Sequence, residues 1–239
     1  MRAGFQTSSE YTLADQERMK AAKRYFAWQS ELAREELGKR VLEVGCGLGN
    51  FSDHLKEKKL VVGIDMDENC VSQWRQRFIA RANYIGRTLK AESAEFHELR
   101  AYAIDSVVCL NVLEHIKEDE LALRNMHAIL PDGGRVILMV PAFEVLYGEI
   151  DARLGHYRRY TRKSLRGRAA ASGFKIRRLR FMNTIGFFGW WVNAKISRRM
   201  QQSEKQIAFF DSYLVPAMSR LEKWIPPPFG QSILATLEK

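Results

Sequence analysis

The sequence contains few cysteines and no long apolar run. Its three cysteines, Cys46, Cys70 and Cys109, lie far apart and form no CxxC pair. This argues against a disulfide framework and against a cysteine-based zinc site, and it favours a reducing, cytoplasmic setting. The first 18 residues contain no apolar signal-peptide core, and no apolar run reaches the roughly 18 residues that span a bilayer. We therefore expect neither secretion nor a membrane-spanning helix.

Acidic residues are almost missing from one stretch of the chain. Residues 151–200 contain 14 Lys and Arg and one acidic residue, within a chain whose formal net charge is +10. Such a concentration of positive charge favours an anionic partner, which could be a phosphorylated substrate, a membrane surface or nucleic acid. A solvated basic face explains the same composition equally well.

The 239 residues are enough for one α/β domain with a buried core. Four short apolar runs alternate with longer helix-like segments: VLEV from Val41, LVVGID from Leu60, SVVCLNV from Ser106 and RVILMV from Arg135. Strands that are buried on both faces have this composition, and the alternation predicts a parallel sheet with crossover helices. FKIRRLRF and SILATL are two later strand candidates.

Helix signals lie between these runs. Apolar residues at helical spacing predict one amphipathic helix over residues 15–37. Asp67 is placed to cap the helix after the second run, and helices are expected over residues 119–129 and near 162–171. We divide the chain into a helical cap (15–40), a core (41–181), a helical insertion or lid (182–228) and a last strand (229–239).

The strongest motif is VLEVGCGLGN, in which a strand is followed by three glycines at two-residue spacing. Glycine lets the backbone turn with positive φ and approach a ligand closely. A dinucleotide-binding GxGxxG pattern would need glycine where Asn50 stands, so the pattern disfavours NAD. An ordinary turn between a strand and a helix would also explain the glycines.

Asp65 makes the motif more specific. It ends the second apolar run, 20 residues after Gly45. A carboxylate at that place can accept hydrogen bonds from both hydroxyls of a ribose.

These segments, in this order, resemble the class I S-adenosylmethionine-dependent methyltransferases. The resemblance covers ExGxGxG, Asp65, DSVVCLNVLEHI and LPDGGRVILMVP, over roughly residues 25–181. The GHYRRYT segment is similar to that of a bacterial subgroup, of the methyltransferase type 11/12 kind, linked with cell-envelope saccharide pathways. The resemblance implies a Rossmann-like α/β fold, with a seven-stranded, mostly parallel sheet flanked by helices and a helical insertion before the last strand.

The resemblance also implies S-adenosylmethionine as cofactor and S-adenosylhomocysteine as product. Glu43 would orient the amino end of the cofactor, Asp65 would bind the ribose, Met66 would flank the adenine and Asn111 would line the methionine side. Glu92, with Ser93 beside it, stands where the family often has an Asp that reaches the adenine amino group. The implied cofactor-binding set is Glu43, Gly45, Cys46, Gly47, Gly49, Asp65, Met66, Glu92, Ser93 and Asn111.

His115, in LEH, and His156, in GHYRRYT, are the candidate catalytic bases. Both are expected at the carboxyl edge of the sheet, where ligands bind in open parallel sheets, and histidine has a pKa near neutrality. A helix cap or a supporting role is an equally good explanation for His115.

The acceptor is expected to meet Tyr157 and Arg159, because a guanidinium fork matches phosphate or carboxylate. Tyr25 and Trp28 could cover the cleft, or they could be core residues of an ordinary helix. Ubiquinone-type O-methyltransferases of this class can carry an acid ahead of LEH that helps bind a divalent metal. Asn111 stands at that position here, so Glu114 and His115 form a poor pair and no metal is expected.

The insertion places four aromatic residues, Phe187, Phe188, Trp190 and Trp191, ahead of the bases Lys195, Arg198 and Arg199. Aromatic residues beside bases are typical of a peripheral membrane contact at the inner membrane face, although a lid that buries the rings explains them as well.

The sequence as a whole favours methyl transfer from S-adenosylmethionine to an oxygen or nitrogen of a small-molecule or lipid-linked acceptor, a saccharide among them, of anionic character. One alternative is an RNA methyltransferase, although CLNVLEH stands where an NPPY-like motif would be expected. Another is a non-catalytic cofactor-binding scaffold. The sequence does not indicate an oligomeric state.

Overall fold

The computed structural model of the protein describes residues 8–193, 195 and 203–239, and a seven-stranded sheet lies at its centre. The strand order is β3-β2-β1-β4-β5-β7-β6. Strands β1 to β5 pair in parallel, and β7 lies antiparallel between β5 and β6. The strands are β1 Arg40–Val44, β2 Leu60–Asp65, β3 Tyr84–Thr88, β4 Ser106–Leu110, β5 Arg135–Pro141, β6 Lys175–Met182 and β7 Ser232–Glu238. This architecture confirms the expected fold class.

The composition of each strand follows from its place in the sheet. Almost every residue of β1, β2, β4 and β5 is buried, as continuous apolar runs predict for strands covered on both faces. β6 is an edge strand, and its first half exposes charged side chains, which suits an edge because charge discourages further strand pairing. β3 forms the other edge. The apolar runs did not locate it, because YIGRT has only two apolar residues that could mark it.

Nine α-helices flank this sheet in the described ranges. They are α1 Ser8–Met19, α2 Lys23–Ala33, α3 Glu68–Arg77, α4 Asp119–Ile129, α5 Glu149–Leu154, α6 Arg162–Ala171, α7 Thr184–Val192, α8 Glu204–Phe209 and α9 Val215–Trp224. The predicted α4 and α6 are confirmed, and so is the cap of α3, where the Asp67 side chain accepts from the Asn69 N–H at 2.9 Å. None of the described helices combines the length and the apolar character that crossing a bilayer requires.

The single helix predicted over residues 15–37 is wrong, because the chain breaks it between α1 and α2. The reason lies far along the sequence. The carboxylate of Asp211 accepts from the backbone N–H groups of Arg24, at 3.2 Å, and Tyr25, at 2.8 Å. These are free donors at the start of a helix, so a carboxylate there stabilises a new helix N-terminus.

The described part of the insertion consists of α7, α8, a π-helical turn over Phe210–Leu214, and α9. The buried carboxylate of Glu222 in α9 accepts from the backbone N–H groups of Asn183 and Thr184, at 3.1 and 3.0 Å, and so joins α9 to the start of α7. Arg198 and Arg199, which the sequence suggested as part of a basic surface, lie outside the described residues.

The third glycine of the glycine-rich turn has a packing role. Gly49 has a φ of +79°, and a Cβ atom there would come within 2.5 Å of the Phe78 ring and 3.0 Å of the Trp74 ring. Both rings belong to the buried core on one side of the sheet. A side chain at Gly49 would therefore strain the backbone and displace core aromatic rings together.

We expect Gly49→Ala to lower the free energy of unfolding by about 1–3 kcal/mol, through backbone strain and overpacking. Urea denaturation followed by circular dichroism measures this. Gly167→Ala is the matched control, because Gly167 lies in α6 and a Cβ atom there would meet no neighbouring atom within 4 Å, and alanine should there stabilise the helix by about 0.5–1 kcal/mol. Equal effects of the two substitutions would contradict the packing role of Gly49.

Candidate functional site

A cavity of about 1600 Å³ opens at the carboxyl edge of the parallel strands. Its wall includes the turn after β1, the end of β2 at Asp65 and the segment after β4 that begins at Asn111. Helices α1, α2 and α7 contribute further side chains. Because pockets for a single small ligand measure roughly 300–1,000 Å³, this cavity has room for two ligands side by side.

The backbone of the glycine-rich turn forms part of the cavity wall at Gly45 and Gly47. Gly45 and Gly47 have φ values of +73° and +48°, which favour glycine. A Cβ atom on Gly45 would lie 2.2 Å from Val112, and one on Gly47 would lie 2.0 Å from the side-chain oxygen of Gln16. Any other residue would therefore strain the backbone at both positions, and at Gly47 it would also displace the Gln16 side chain.

Asp65 joins the end of β2 to this turn. Its carboxylate accepts from the Gly47 N–H and from the Asp67 N–H, each at 3.0 Å. Burial raises the pKa of Asp65 above its usual value, although both hydrogen bonds act in the opposite direction. The carboxylate is thus held in one orientation at the cavity wall, which suits recognition of a diol.

Helix α1 covers the turn through Gln16, which sequence reasoning missed. The side-chain oxygen of Gln16 accepts from the Leu48 N–H at 3.0 Å, and its backbone carbonyl accepts from the Asn50 side chain at 3.2 Å. Leu13 and Met19 of the same helix also line the cavity. A lone glutamine in a polar helix belongs to no motif, so only the fold shows this contact.

Glu43 is a buried acid at the cavity wall. Its carboxylate accepts from the Ser52 hydroxyl, which in turn accepts from the Trp74 indole N–H at 2.7 Å. Burial raises the pKa of Glu43 to about 8. A ligand with a cationic amino group would restore the charged form, because a nearby opposite charge favours the ionised carboxylate.

Most of the cofactor-binding residues suggested by the sequence meet at this cavity. Besides those above, Cys46, Met66, Glu92 and Asn111 line it. Ser93 and Gly49 are not part of its wall. The cofactor roles of these residues remain predictions.

A second polar region lines the same cavity and depends on Asp151. The fully buried side chain of Asp151 accepts from the Arg159 guanidinium at 2.9 and 3.1 Å, and it is bonded to Nδ1 of His156 at 2.8 Å. It also accepts from the Gly148 N–H, at 3.0 Å, and the Trp190 indole N–H, at 3.3 Å. Burial alone would raise the pKa of Asp151, but the His156 bond and the Arg159 charge hold the pKa below its usual value.

Arg159 therefore has a different role from the expected one. Although it borders the cavity, its guanidinium donates to Asp151 and to the Ala142 carbonyl, at 3.2 Å, so the fork is already occupied. Trp28 is 4% exposed, lies in the core and is not part of the cavity wall. This agrees with the alternative interpretation of Trp28 as a core residue of an ordinary helix. Tyr25 and the exposed Tyr157 do line the cavity.

The fold brings Glu114, His115 and His156 together in this region. The two imidazole rings are perpendicular, with centroids 4.6 Å apart. Burial raises the pKa of Glu114 to about 7, and burial together with the neighbouring His156 lowers the pKa of His115 to about 3. Both histidine candidates thus lie side by side, which their separation by 41 positions in the sequence could not show.

Acids in the described part of the chain pair with four of the fourteen basic residues of residues 151–200. Asp119 pairs with Arg158, at 2.7 Å, and with Arg168. Arg177 pairs with Glu36 and Glu238, and Arg159 pairs with Asp151. The positive charge of residues 151–200 is therefore weaker support for an anionic partner than the composition indicated.

Comparison with known proteins agrees with this geometry. A family model described as a methyltransferase domain matches residues 15–179. The ubiquinone biosynthesis O-methyltransferase of Coxiella burnetii is 29% identical over 100 residues, which are 41% of this chain and 42% of that protein. The chain thus matches less than half the length of this relative.

Solved structures share the fold. A putative methyltransferase from Bacillus halodurans superposes with a TM-score of 0.59 at 20% identity, over 87% of this chain and 97% of that one. The geranyl diphosphate C-methyltransferase of Streptomyces coelicolor, solved with Mg²⁺, geranyl diphosphate and S-adenosylhomocysteine, gives a TM-score of 0.61 at 12% identity, over 88% and 76% of the two chains.

The raised pKa of Glu43 predicts a pH-dependent stability. The folded protein holds the proton of Glu43 more tightly than the unfolded chain does. The stabilisation of the folded state by this proton is therefore complete below pH 4.5 and is lost as the pH rises towards about 8. Glu43→Gln should remove it, so that the variant gains stability relative to the parent across that range, by a few kcal/mol at most (about 1.4 per pKa unit). Urea denaturation at several pH values measures the difference. The exposed Glu57→Gln is the control, and a difference that does not change with pH would contradict the assignment.

Proposed function

The chain belongs to the methyltransferase domain family, and we propose that it is an S-adenosylmethionine-dependent methyltransferase that acts on an oxygen or nitrogen of a small-molecule or lipid-linked acceptor. The observation that carries the proposal is one cavity whose wall contains two unlike groups of polar residues, which we call its two ends. The glycine-rich turn, Asp65 and Glu43 lie at one end, and the Glu114, His115 and His156 cluster lies at the other. A methyl donor and an acceptor can occupy these ends at the same time.

The residues of the first end fit the cofactor. Gly45 and Gly47 leave room for it, the Asp65 carboxylate suits the two ribose hydroxyls, and the buried Glu43 suits the cationic amino group. S-adenosylmethionine supplies a methyl group on a sulfonium, which is a good leaving group. The protein must then mainly align the acceptor and exclude water.

The second end is placed to receive the acceptor and its proton. Asp151 binds Nδ1 of His156 and so leaves the other ring nitrogen of His156 to accept a proton. Because Asp151 is fixed by Arg159, the orientation of His156 is fixed as well. His156 is the better supported of the two histidine candidates for this reason. An oxygen acceptor is favoured, because relatives are named as O-methyltransferases.

An acceptor with an apolar part fits the remaining wall. Ile185, Phe188 and Val192 of α7 line the cavity and are also partly exposed at the surface. Trp191, on the same helix, is exposed too. This arrangement supports a lipid-linked acceptor, a lipid-linked saccharide among them, reached through a peripheral contact of α7 with a membrane surface. Residues 15–40 and 182–228 would then serve as a cap and a lid on the core at 41–181, with the last strand in 229–239.

The first test concerns the cofactor. Asp65→Asn should weaken S-adenosylmethionine and S-adenosylhomocysteine binding about tenfold or more, because about 1.4 kcal/mol of hydrogen bonding corresponds to that factor. Calorimetric titration measures both affinities. Asp132→Asn, in an exposed turn, should bind like the parent protein. The proposal would be wrong if the parent protein bound neither form of the cofactor.

The second test concerns the acceptor. Phe188→Ser should reduce transfer of a labelled methyl group into a lipid extract of cell envelopes severalfold. It should leave cofactor affinity unchanged, because Phe188 belongs to α7, where its ring contacts Phe187 and Phe229. Trp224→Ser is the control, because Trp224 is 82% exposed and lies outside the cavity wall. Equal loss of transfer in both variants would argue against an acceptor path along α7.

A further inference from the structure

We propose that Glu114, His115 and His156 form a binding site for a divalent transition-metal ion at the acceptor end of the cavity. A carboxylate oxygen of Glu114 and one ring nitrogen of each histidine lie within 4.8 Å of one another. All three residues line the cavity. The role of such an ion in methyl transfer rests on the proposed function, whereas binding of the ion does not.

The separation of the donor atoms is close to that of a metal site. Metal–ligand bonds of about 2.0–2.2 Å place neighbouring ligand atoms roughly 3–3.5 Å apart. Small rotations of the three side chains, moving their donor atoms by about an ångström, would therefore close the site around an ion. Glu114 and His115 are adjacent in the short helical turn after β4, so only His156 has to be brought from elsewhere.

Glu114 has an atom that lacks a partner. Its side chain is 1% exposed, and Oε2 makes no hydrogen bond within the described part of the chain. Burying an unsatisfied carboxylate oxygen is costly, and a bound cation would satisfy it. This unpaired oxygen belongs to the same cluster as the two imidazole rings, which is the arrangement that a metal site requires.

His156 is already held as a metal ligand usually is. A metal-bound histidine almost always donates its other ring N–H to a carboxylate or to a backbone carbonyl. His156 bonds to Asp151 through Nδ1, at 2.8 Å. Its other ring nitrogen is therefore left for an ion, and with an ion bound there His156 would act as a ligand and not as the proton acceptor.

The donor set indicates the class of ion. Two imidazoles and one carboxylate suit Zn²⁺, Co²⁺, Fe²⁺ or Mn²⁺, whereas Mg²⁺ prefers oxygen ligands. Three protein ligands also leave coordination positions open towards the cavity, where an acceptor oxygen could be held beside the methyl donor. The local sequence argued against a metal, because Asn111 stands where related enzymes can carry an acidic ligand ahead of LEH. The fold instead brings His156 to Glu114 and His115 as a third candidate ligand.

Cobalt is the probe that tests binding directly. Protein treated with a chelator and then dialysed should bind one Co²⁺ per chain, with visible absorption bands that Zn²⁺ abolishes and Mg²⁺ does not. Glu114→Gln and His156→Asn should each weaken Co²⁺ binding at least tenfold. His97→Asn is the matched control, because His97 is exposed and outside the cluster, and it should bind Co²⁺ like the parent protein.

Two results would overturn the inference: no saturable Co²⁺ absorption in the parent protein, or unchanged affinity in both cluster variants. If one variant fails to fold, the other and His115→Asn decide the same question. Calorimetry with S-adenosylmethionine on the metal-free protein separates this inference from the proposed function. Cofactor binding without Co²⁺ binding overturns the metal site alone, and Co²⁺ binding without cofactor binding supports the metal site while contradicting the proposed function.

Discussion

The buried ion pair of Asp151 and Arg159 is the interaction on which the part of the cavity wall around His156 depends. A carboxylate with no exposed surface is stable only if its charge is neutralised and its lone pairs are satisfied. Arg159 neutralises the charge of Asp151, and hydrogen bonds with Gly148, His156 and Trp190 satisfy its remaining lone pairs. One carboxylate thereby fixes the start of α5, His156 and helix α7 relative to one another, so that removing either charge would disorder all three.

The two halves of the cavity are specified in different ways. The half with the glycine-rich turn is local in sequence: a buried strand delivers the glycines, the next strand ends at Asp65, and parallel pairing brings both to the same edge. The other half is built from long-range contacts, with the segment after β4 meeting the loop before α6. This division explains why short motifs indicated the first group of residues, whereas the second group is brought together only by the fold.

The sequence predicted what periodicity and short motifs encode, namely six of the strands, helices α4 and α6, and the Asp67 cap of α3. It could not locate β3, whose apolar signal is weak, or the break between α1 and α2, which depends on Asp211 some 187 positions away. The sequence suggested that Arg159 binds the acceptor, because a motif does not show which side chain the guanidinium will pair with in the folded protein. The partner of this guanidinium is Asp151, which in the sequence stands out only as the one acidic residue of a basic segment.

The order of the strands has a consequence for synthesis on the ribosome. β6 pairs only with β7, and β7 occupies the gap between β6 and β5. Asp211, which holds the start of α2, also comes late in the chain. Neither the pairing of β5 and β6 with β7 nor the contact that holds the start of α2 can form until residues 211–238 have been made, so a nascent chain leaves one side of β5 unpaired and the start of α2 unsupported until that segment has left the exit tunnel.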